Sequence, residues 1–295
     1  MLRKIKQVGC YVSIILLLPY VITVFLNGPN TAVNANVEKT YVMAENDGNP
    51  IEMSIEEYCI GKLAKEIPIG YEEEAIKAQA VIVRTSVYKK IKETGSGVIL
   101  EDEFWTREEM EKQWGSVSFG RNYKKLENAW RDTEGQILFY ESELANTPFC
   151  KMTNGNTRDG KEVLGEEYPY LKIRECPLDM EAKEQMQTIV IDEMDVEITG
   201  SDTAGYVTSV RVGEENVSGE EFRNTYALAS SCFTIQKYDG KLRITTRGVG
   251  HGLGLSQYTS NEMAKNGEDY LSILKYFFDG TEIREVADIV MLKNV

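Results

Sequence analysis

The sequence predicts an α+β fold, a single mixed domain behind an N-terminal membrane anchor. Segments of helical period open and close the chain from residue 54 onward. Short β-rich runs cluster between them, and turn residues separate the runs without leaving a long linker.

In chain order, Arg3, Lys4 and Lys6 precede an uncharged apolar stretch from Val8 to Leu26. At about 1.5 Å per residue this stretch nearly spans a hydrocarbon core of about 30 Å. The expected layout is a cytoplasmic tail at 1–7, an anchor at 8–27, and the remainder on the extracytoplasmic side. A signal peptide cleaved near Val33-Asn34-Ala35 is the rival; the uncleaved anchor is favoured. Residues 28–49 read as a polar tether, and 50–290 as the working domain.

Ser54, with Glu57 three residues later, reads as a capping box opening a helix to Glu66, which Pro68 and Gly70 break. A second helix runs from about Glu72 to Glu93, with its main apolar stripe on Ile76, Ala80, Val83 and Val87. A third helical piece covers Lys124–Thr133 and a strand Gln136–Tyr140. Further strands are expected at Tyr170–Ile173, Thr188–Ile191, Val196–Ile198, Tyr206–Val212 and Leu242–Thr246. Ser218 and Glu221 open a short helix through Tyr226, and Ser256–Lys265 and Tyr270–Phe278 are the last helices, ended by Gly280.

Charge narrows the function. The 295 residues carry 33 basic and 47 acidic side chains, a net charge of −14. Setting aside Arg3, Lys4 and Lys6 lowers the balance from −14 to −17. Without a basic tract such a chain is a poor nucleic-acid binder, and a neutral glycan suits it better than a polyanion. The one histidine excludes a multi-histidine metal site. Cys59, Cys150, Cys176 and Cys232 match no zinc or C-x-x-C spacing, and they read as free buried thiols. Cys150 and Cys176 would be the best pair if any bridge formed.

Three segments stand out chemically. On the second helix, Glu74 shares a face with Ala78, Val81 and Thr85, opposite the main stripe. A carboxyl beside small apolar groups loses hydration and becomes a better general acid. The plainer reading, an acidic first turn complementing the helix dipole, is favoured by the pattern alone. Gly248-Val-Gly-His-Gly-Leu-Gly-Leu255 allows close backbone approach to a ligand, or a tight turn around a structural His251; both stay open. Lys151–Gly160 is rich in Asn and Gly and reads as a surface loop, with lining of a sugar groove as the alternative.

Taken together and in order, these segments resemble the stage II sporulation protein D family, also described as the amidase-enhancer domain. Glu74-Ala-Ile-Lys-Ala-Gln-Ala-Val-Ile-Val-Arg-Thr85 resembles its signature helix. Ala64-Lys-Glu-Ile-Pro68 is similar to its opening Glu-Met-Pro-like step. Leu228-Ala-Ser-Ser-Cys-Phe233 and Gly248–Gln257 are similar to later blocks. The resemblance implies a membrane-anchored lytic transglycosylase of endospore formers, acting in forespore engulfment. Its substrate would be peptidoglycan stripped of stem peptides, cut at the MurNAc–GlcNAc β-1,4 bond to leave a 1,6-anhydro-MurNAc end. An amidase and other membrane engulfment proteins would be partners.

The resemblance assigns the catalytic role to Glu74, and substrate contacts or groove structure to Arg84, Thr157, His251, Ser256 and Gln257. It implies no cofactor. Some members carry a Cys/His zinc site near the middle loop, but no histidine lies near Thr153–Thr157 here, so no metal site is expected. Ser86 also replaces the family's usual Tyr after Arg84-Thr85. A non-catalytic wall-binding protein that enhances an amidase is the alternative.

Overall fold

The computed structural model describes residues 41–46, 48–95 and 98–287. The expected anchor at 8–27 lies outside these residues; among them, no helix is long and apolar enough to cross a membrane. From Val42 onward the chain forms one compact unit of mixed helices and small sheets, as an α+β fold requires.

The unit begins earlier than the expected boundary at residue 50. Strands β1 (Tyr41–Asn46) and β2 (Asn49–Ser54) occupy the end of the supposed tether. The polar composition there hid a period of two: Val42 and Ala44 point inward. Ala44 sits opposite Leu100 in a parallel pairing with β3 (Ile99–Leu100).

Helix α1 (Ile55–Glu66) starts as expected. The Glu57 N–H donates to Ser54 Oγ at 3.2 Å, and Ser54 Oγ donates to the Glu57 carboxylate at 3.0 Å. Helix α2 (Glu73–Thr94) runs through the middle of the unit. Its stripe of Ile76, Ala80, Val83 and Val87 enters one apolar cluster with α1, while Ala78, Val81 and Ile82 enter a second. A helix apolar on two sides thus separates two cores.

Helix α3 (Arg107–Trp114) has no counterpart in the sequence reading, although Thr106 and Glu109 form a complete capping box at its start. Helix α4 (Ser116–Asp132) begins at Ser116 rather than Lys124. Gly120 and the serines of its first turns dilute the apolar period there.

Strand β4 (Gln136–Tyr140) falls where expected and pairs antiparallel with β5 (Glu143–Leu144) and β14 (Glu282–Glu285). Next come β6 (Phe149–Cys150) and the one-turn helix α5 (Gly160–Val163). Residues 170–173 form no strand. Tyr170 and Leu171 are buried in the second core, but the Leu171 carbonyl accepts from the Gly160 N–H in a loop instead of joining a ladder.

The remaining strands are β7 (Met186–Asp192), β8 (Val196–Ser201), β9 (Val207–Val212), β10 (Glu215–Ser218), β11 (Phe233–Tyr238) and β12 (Lys241–Arg247). They form two three-stranded antiparallel sheets, ordered β10-β9-β8 and β11-β12-β7. Helix α6 (Gly219–Thr225) contributes Phe222 to a third core with Val210, Phe233 and Ile244. Strand β13 (Leu255–Ser256) pairs parallel with β6, and helices α7 (Gln257–Lys265) and α8 (Tyr270–Phe277) follow. Cys59, Cys150, Cys176 and Cys232 are free thiols, so the candidate Cys150–Cys176 bridge is not formed.

Candidate active site

Pro68 cannot continue a helix, so α1 stops at Glu66 and the chain turns sharply over 67–71. The Tyr71 N–H closes that turn onto the Pro68 carbonyl at 3.0 Å. Lys125 Nζ, from α4, pins it by donating to the Ile69 and Tyr71 carbonyls at 3.2 and 2.5 Å. The turn rims a cavity of about 750 Å³, whose wall includes Glu66, Trp105, Trp114, His251 and Gln257.

Glu66 carries the electrostatic interest. Its side chain is 14% exposed and lies 2.9 Å from Lys62 Nζ. Gln79 Nε2 donates to its other carboxylate oxygen at 3.2 Å. Burial pushes the Glu66 carboxyl above its ordinary range; the Lys62 ammonium and Gln79 amide oppose this but do not cancel it. The C-terminal end of a helix, where the dipole is negative, also disfavours a carboxylate.

Two residues from the C-terminal block reach the same cavity. Gln257, first in α7, donates from Nε2 to the Glu66 carbonyl at 3.0 Å, tying the end of α1 to the start of α7. His251 Nδ1 accepts the Leu253 N–H at 3.0 Å, which leaves the ring proton on Nε2. Burial, with smaller effects from Arg223 and Arg158, lowers the His251 pKa against the pull of Glu220. His251 is therefore a neutral donor at pH 7. Trp105 and Trp114 meet edge to face, with centroids 6.2 Å apart, and give the cavity wall an apolar aromatic surface.

The structure separates the other sequence candidates from this cavity. Glu74 is not in an apolar pocket. Its carboxylate is 31% exposed, bonds Lys77 Nζ at 2.8 Å and accepts the Tyr270 N–H at the start of α8 at 2.9 Å. Ala78 and Val81 lie one and two turns further on and pack into the second core. Glu74 is thus placed as a joint between α2 and α8.

Arg84 is buried and stacks on Trp130, 3.7 Å from the ring centroid. It donates to the carbonyls of Trp130, Thr133 and Gln136 at 2.9, 2.7 and 3.2 Å. Burial drives its pKa down to about 10. Its role is to fasten α2 to the α4–β4 connection. Thr157 is buried too, donating to the Lys172 carbonyl at 2.9 Å and accepting the Arg174 N–H at 2.7 Å.

Ser256 caps α7 and donates to Asp179 at 2.8 Å. Asp179, which the sequence reading passed over, is buried and also accepts from Thr153 and Thr259. The loop at 151–160 is therefore largely an internal connection, held by Asp179, rather than a surface loop.

The glycine run also works inward. A Cβ on Gly252 would lie 2.3 Å from the Tyr206 ring, and one on Gly254 would lie 1.9 Å from the Pro148 carbonyl oxygen. These glycines admit close approach of the protein to itself. His251 between them is turned to the cavity wall. The donor set does not fit the zinc site of some related proteins. Cys150 and Cys176 are buried thiols, and no three potential ligands cluster among the described residues.

Comparison with known proteins identifies relatives of this chain. The family model "Stage II sporulation protein" matches residues 48–140, which contain Glu66, Gln79 and Glu74. Stage II sporulation protein D of Bacillus amyloliquefaciens is 31% identical over 256 residues, covering 78% of this chain and 74% of that protein. This chain belongs to the stage II sporulation protein D family. The stage II sporulation protein D of Bacillus subtilis (strain 168) matches to the same extent. The amidase enhancer of Bacillus subtilis (strain 168) is 24% identical over 298 residues, covering 76% of this chain and 40% of that protein. The stage II sporulation protein D match covers 78% of this chain and so reaches beyond residue 140.

Proposed function

We propose that this protein is a peptidoglycan lytic transglycosylase of endospore formation, acting on glycan strands freed of stem peptides, with Glu66 as its single catalytic carboxylate. One observation carries the reading: Glu66, whose carboxyl is buried with a raised pKa, is among the residues that wall a cavity together with two tryptophans, a neutral histidine and a glutamine. In this reading Glu66 takes the role that the family resemblance implies for Glu74.

Most glycosidases flank the scissile bond with two carboxylates. A lytic transglycosylase uses one. Protonated Glu66 gives its proton to O4 of the departing GlcNAc as the bond from C1 of MurNAc to O4 breaks. The C6 hydroxyl of the same MurNAc bonds to C1, and its proton passes to the Glu66 carboxylate. The acid is regenerated and a 1,6-anhydro end remains. A pKa raised by burial suits the first step, and Lys62 favours the carboxylate formed between the two. The neutral His251 has a donor for a sugar oxygen, and attack by the sugar's own C6 hydroxyl gains from proximity over competing water.

The test is incubation of purified protein with peptide-free strands, followed by mass spectrometry. Anhydro-ended fragments that vanish in Glu66→Gln support the reading; undiminished product from that variant would sink it. The similarity to an amidase enhancer favours a second reading, in which the same cavity holds a strand for a cell-wall amidase without cutting it. Strand binding without anhydro product would favour that reading. Residues 8–27 are proposed to hold the protein in the membrane, with the catalytic unit on the extracytoplasmic side and other membrane engulfment proteins as neighbours.

A further inference from the structure

We propose that the cavity reads a carboxylate on the saccharide, and that Arg223 is the residue that recognises it. The inference rests on the glycan-binding reading above and specifies which chemical group the site selects.

The protein is acidic, at −14 overall, but the cavity wall is not. Lys65, Lys151 and Arg223 lie on it, and Glu66 is the only carboxylate among its lining residues. The acids that pair with those cations, Glu103, Glu184 and Glu220, lie off the wall. A neutral glycan, the partner that net charge suggests, gives no reason for this segregation.

Arg223 differs from the two lysines in how it is held. The Lys65 and Lys151 side chains are 33% and 44% exposed, and each ends on a single exposed acid. Arg223 donates from Nε to the Leu228 carbonyl at 3.3 Å and from Nη1 to Glu220 at 3.0 Å. Glu220 is fixed in turn by Ser231 Oγ at 2.6 Å and Arg158 Nη1 at 3.2 Å. Arg158 is buried against Asp202. The guanidinium plane is therefore set before any ligand arrives, and Nη2 is the nitrogen left for one. A fixed guanidinium is suited to a carboxylate and loses little entropy in binding it.

The cationic character continues along the track. A second cavity of about 650 Å³ shares the Ile69–Gly70 rim and is lined by Arg121, Lys124 and Lys125, with Glu73 as its one acid. A muramic residue without its stem peptide ends its lactyl ether in a free carboxylate. The same position carries an uncharged amide while the peptide is attached. Arg223 separates the two because only the carboxylate can form the charge-assisted pair.

The experiment titrates full-length protein carrying Glu66→Gln, the variant expected to slow turnover, and follows tryptophan fluorescence from the cavity wall. The two probes are a peptide-free muramic oligosaccharide and the same oligosaccharide with its carboxylates converted to methylamides. The expected result is binding of the carboxylate form tighter by about tenfold or more. Adding Arg223→Gln should remove that preference, and Arg223→Lys should restore part of it. Equal affinity for the two sugars while Arg223 is intact overturns the inference and leaves the glycan reading standing. So does a preference that survives Arg223→Gln in protein with an unchanged circular dichroism spectrum. Failure of both sugars to bind overturns the glycan reading and this inference together.

Discussion

Gln79 Nε2 donates to Glu66 Oε2 at 3.2 Å, and the other end of the same amide, Oε1, is buried with no partner among the described residues. Buried acceptors are seldom left unpaired. Here the orphan sits beside the carboxyl that the proposed reaction protonates and deprotonates. The amide nitrogen serves the carboxylate, and a half-turn of the amide would offer Oε1 to the O–H of the acid. The donor holds the Glu66 pKa down against burial. Replacing Gln79 with Met removes the donor at similar volume, so the Glu66 pKa should rise further. Because the reaction needs the protonated acid, the alkaline limb of the pH–rate profile should move to higher pH in Gln79→Met. An unmoved limb with lowered rate would mean that Gln79 only packs.

The two candidate carboxylates are separable by experiment. Glu66→Gln should lower the rate of anhydro-product formation by about 10²–10⁴-fold, the range for loss of a general acid. Glu74→Gln should leave product formation in place. It should cost about 1 kcal/mol of stability, since a cap on α8 and a partner of Lys77 are weakened. Product kinetics and urea melts on the same two variants check both statements.

Arg84→Met should be among the most damaging single changes. It strands the carbonyls of Trp130, Thr133 and Gln136 and removes the stack on Trp130. About 3–5 kcal/mol is expected, with Arg84→Lys intermediate because an ammonium cannot reproduce the planar fork. Chemical denaturation measures it, and a loss below about 1 kcal/mol would contradict the bonding described.

The sequence patterns reached the frame of this molecule more surely than its site. Ser54 with Glu57, the two apolar faces of α2 and the strand at 136–140 were legible because local chemistry and period decide them. Residues 170–173 misled because an apolar run buried through packing looks like one buried through a ladder. His251 and Gln257 were found through their motif. Glu66, proposed above as the acid, was not singled out, although it carries a readable anomaly, an acid in the last turn of a helix, where bases are favoured. Trp105, Trp114, Arg223 and Asp179 come from segments far apart in sequence, and no spacing rule joins them.

Glycine positions give a graded prediction. Gly254 and Gly280 both have φ in the left-handed region, at 69° and 81°. A Cβ at Gly280 meets nothing within 4 Å, whereas one at Gly254 meets the Pro148 carbonyl oxygen. Gly280→Ala should cost about 1 kcal/mol, the conformational strain alone. Gly254→Ala should cost several times more, because backbone must shift, and should also reduce product formation by disturbing His251. Thermal melts of the two variants compare them directly, and equal shifts would argue against the close packing at Pro148.

The bond from Gln257 to the Glu66 carbonyl joins residues 191 positions apart, and the cavity wall draws on segments from Ala64 to Gln257. A chain emerges from the ribosome N-terminus first, so Glu66 appears long before the residues that enclose it. Until the last quarter of the polypeptide has been made, the cavity that Glu66 helps to wall lacks Arg223, His251 and Gln257. A chain cut short before that point would carry Glu66 without the wall proposed to hold a strand. For a protein proposed to cut the wall that contains its own cell, the order of manufacture is itself a safety catch.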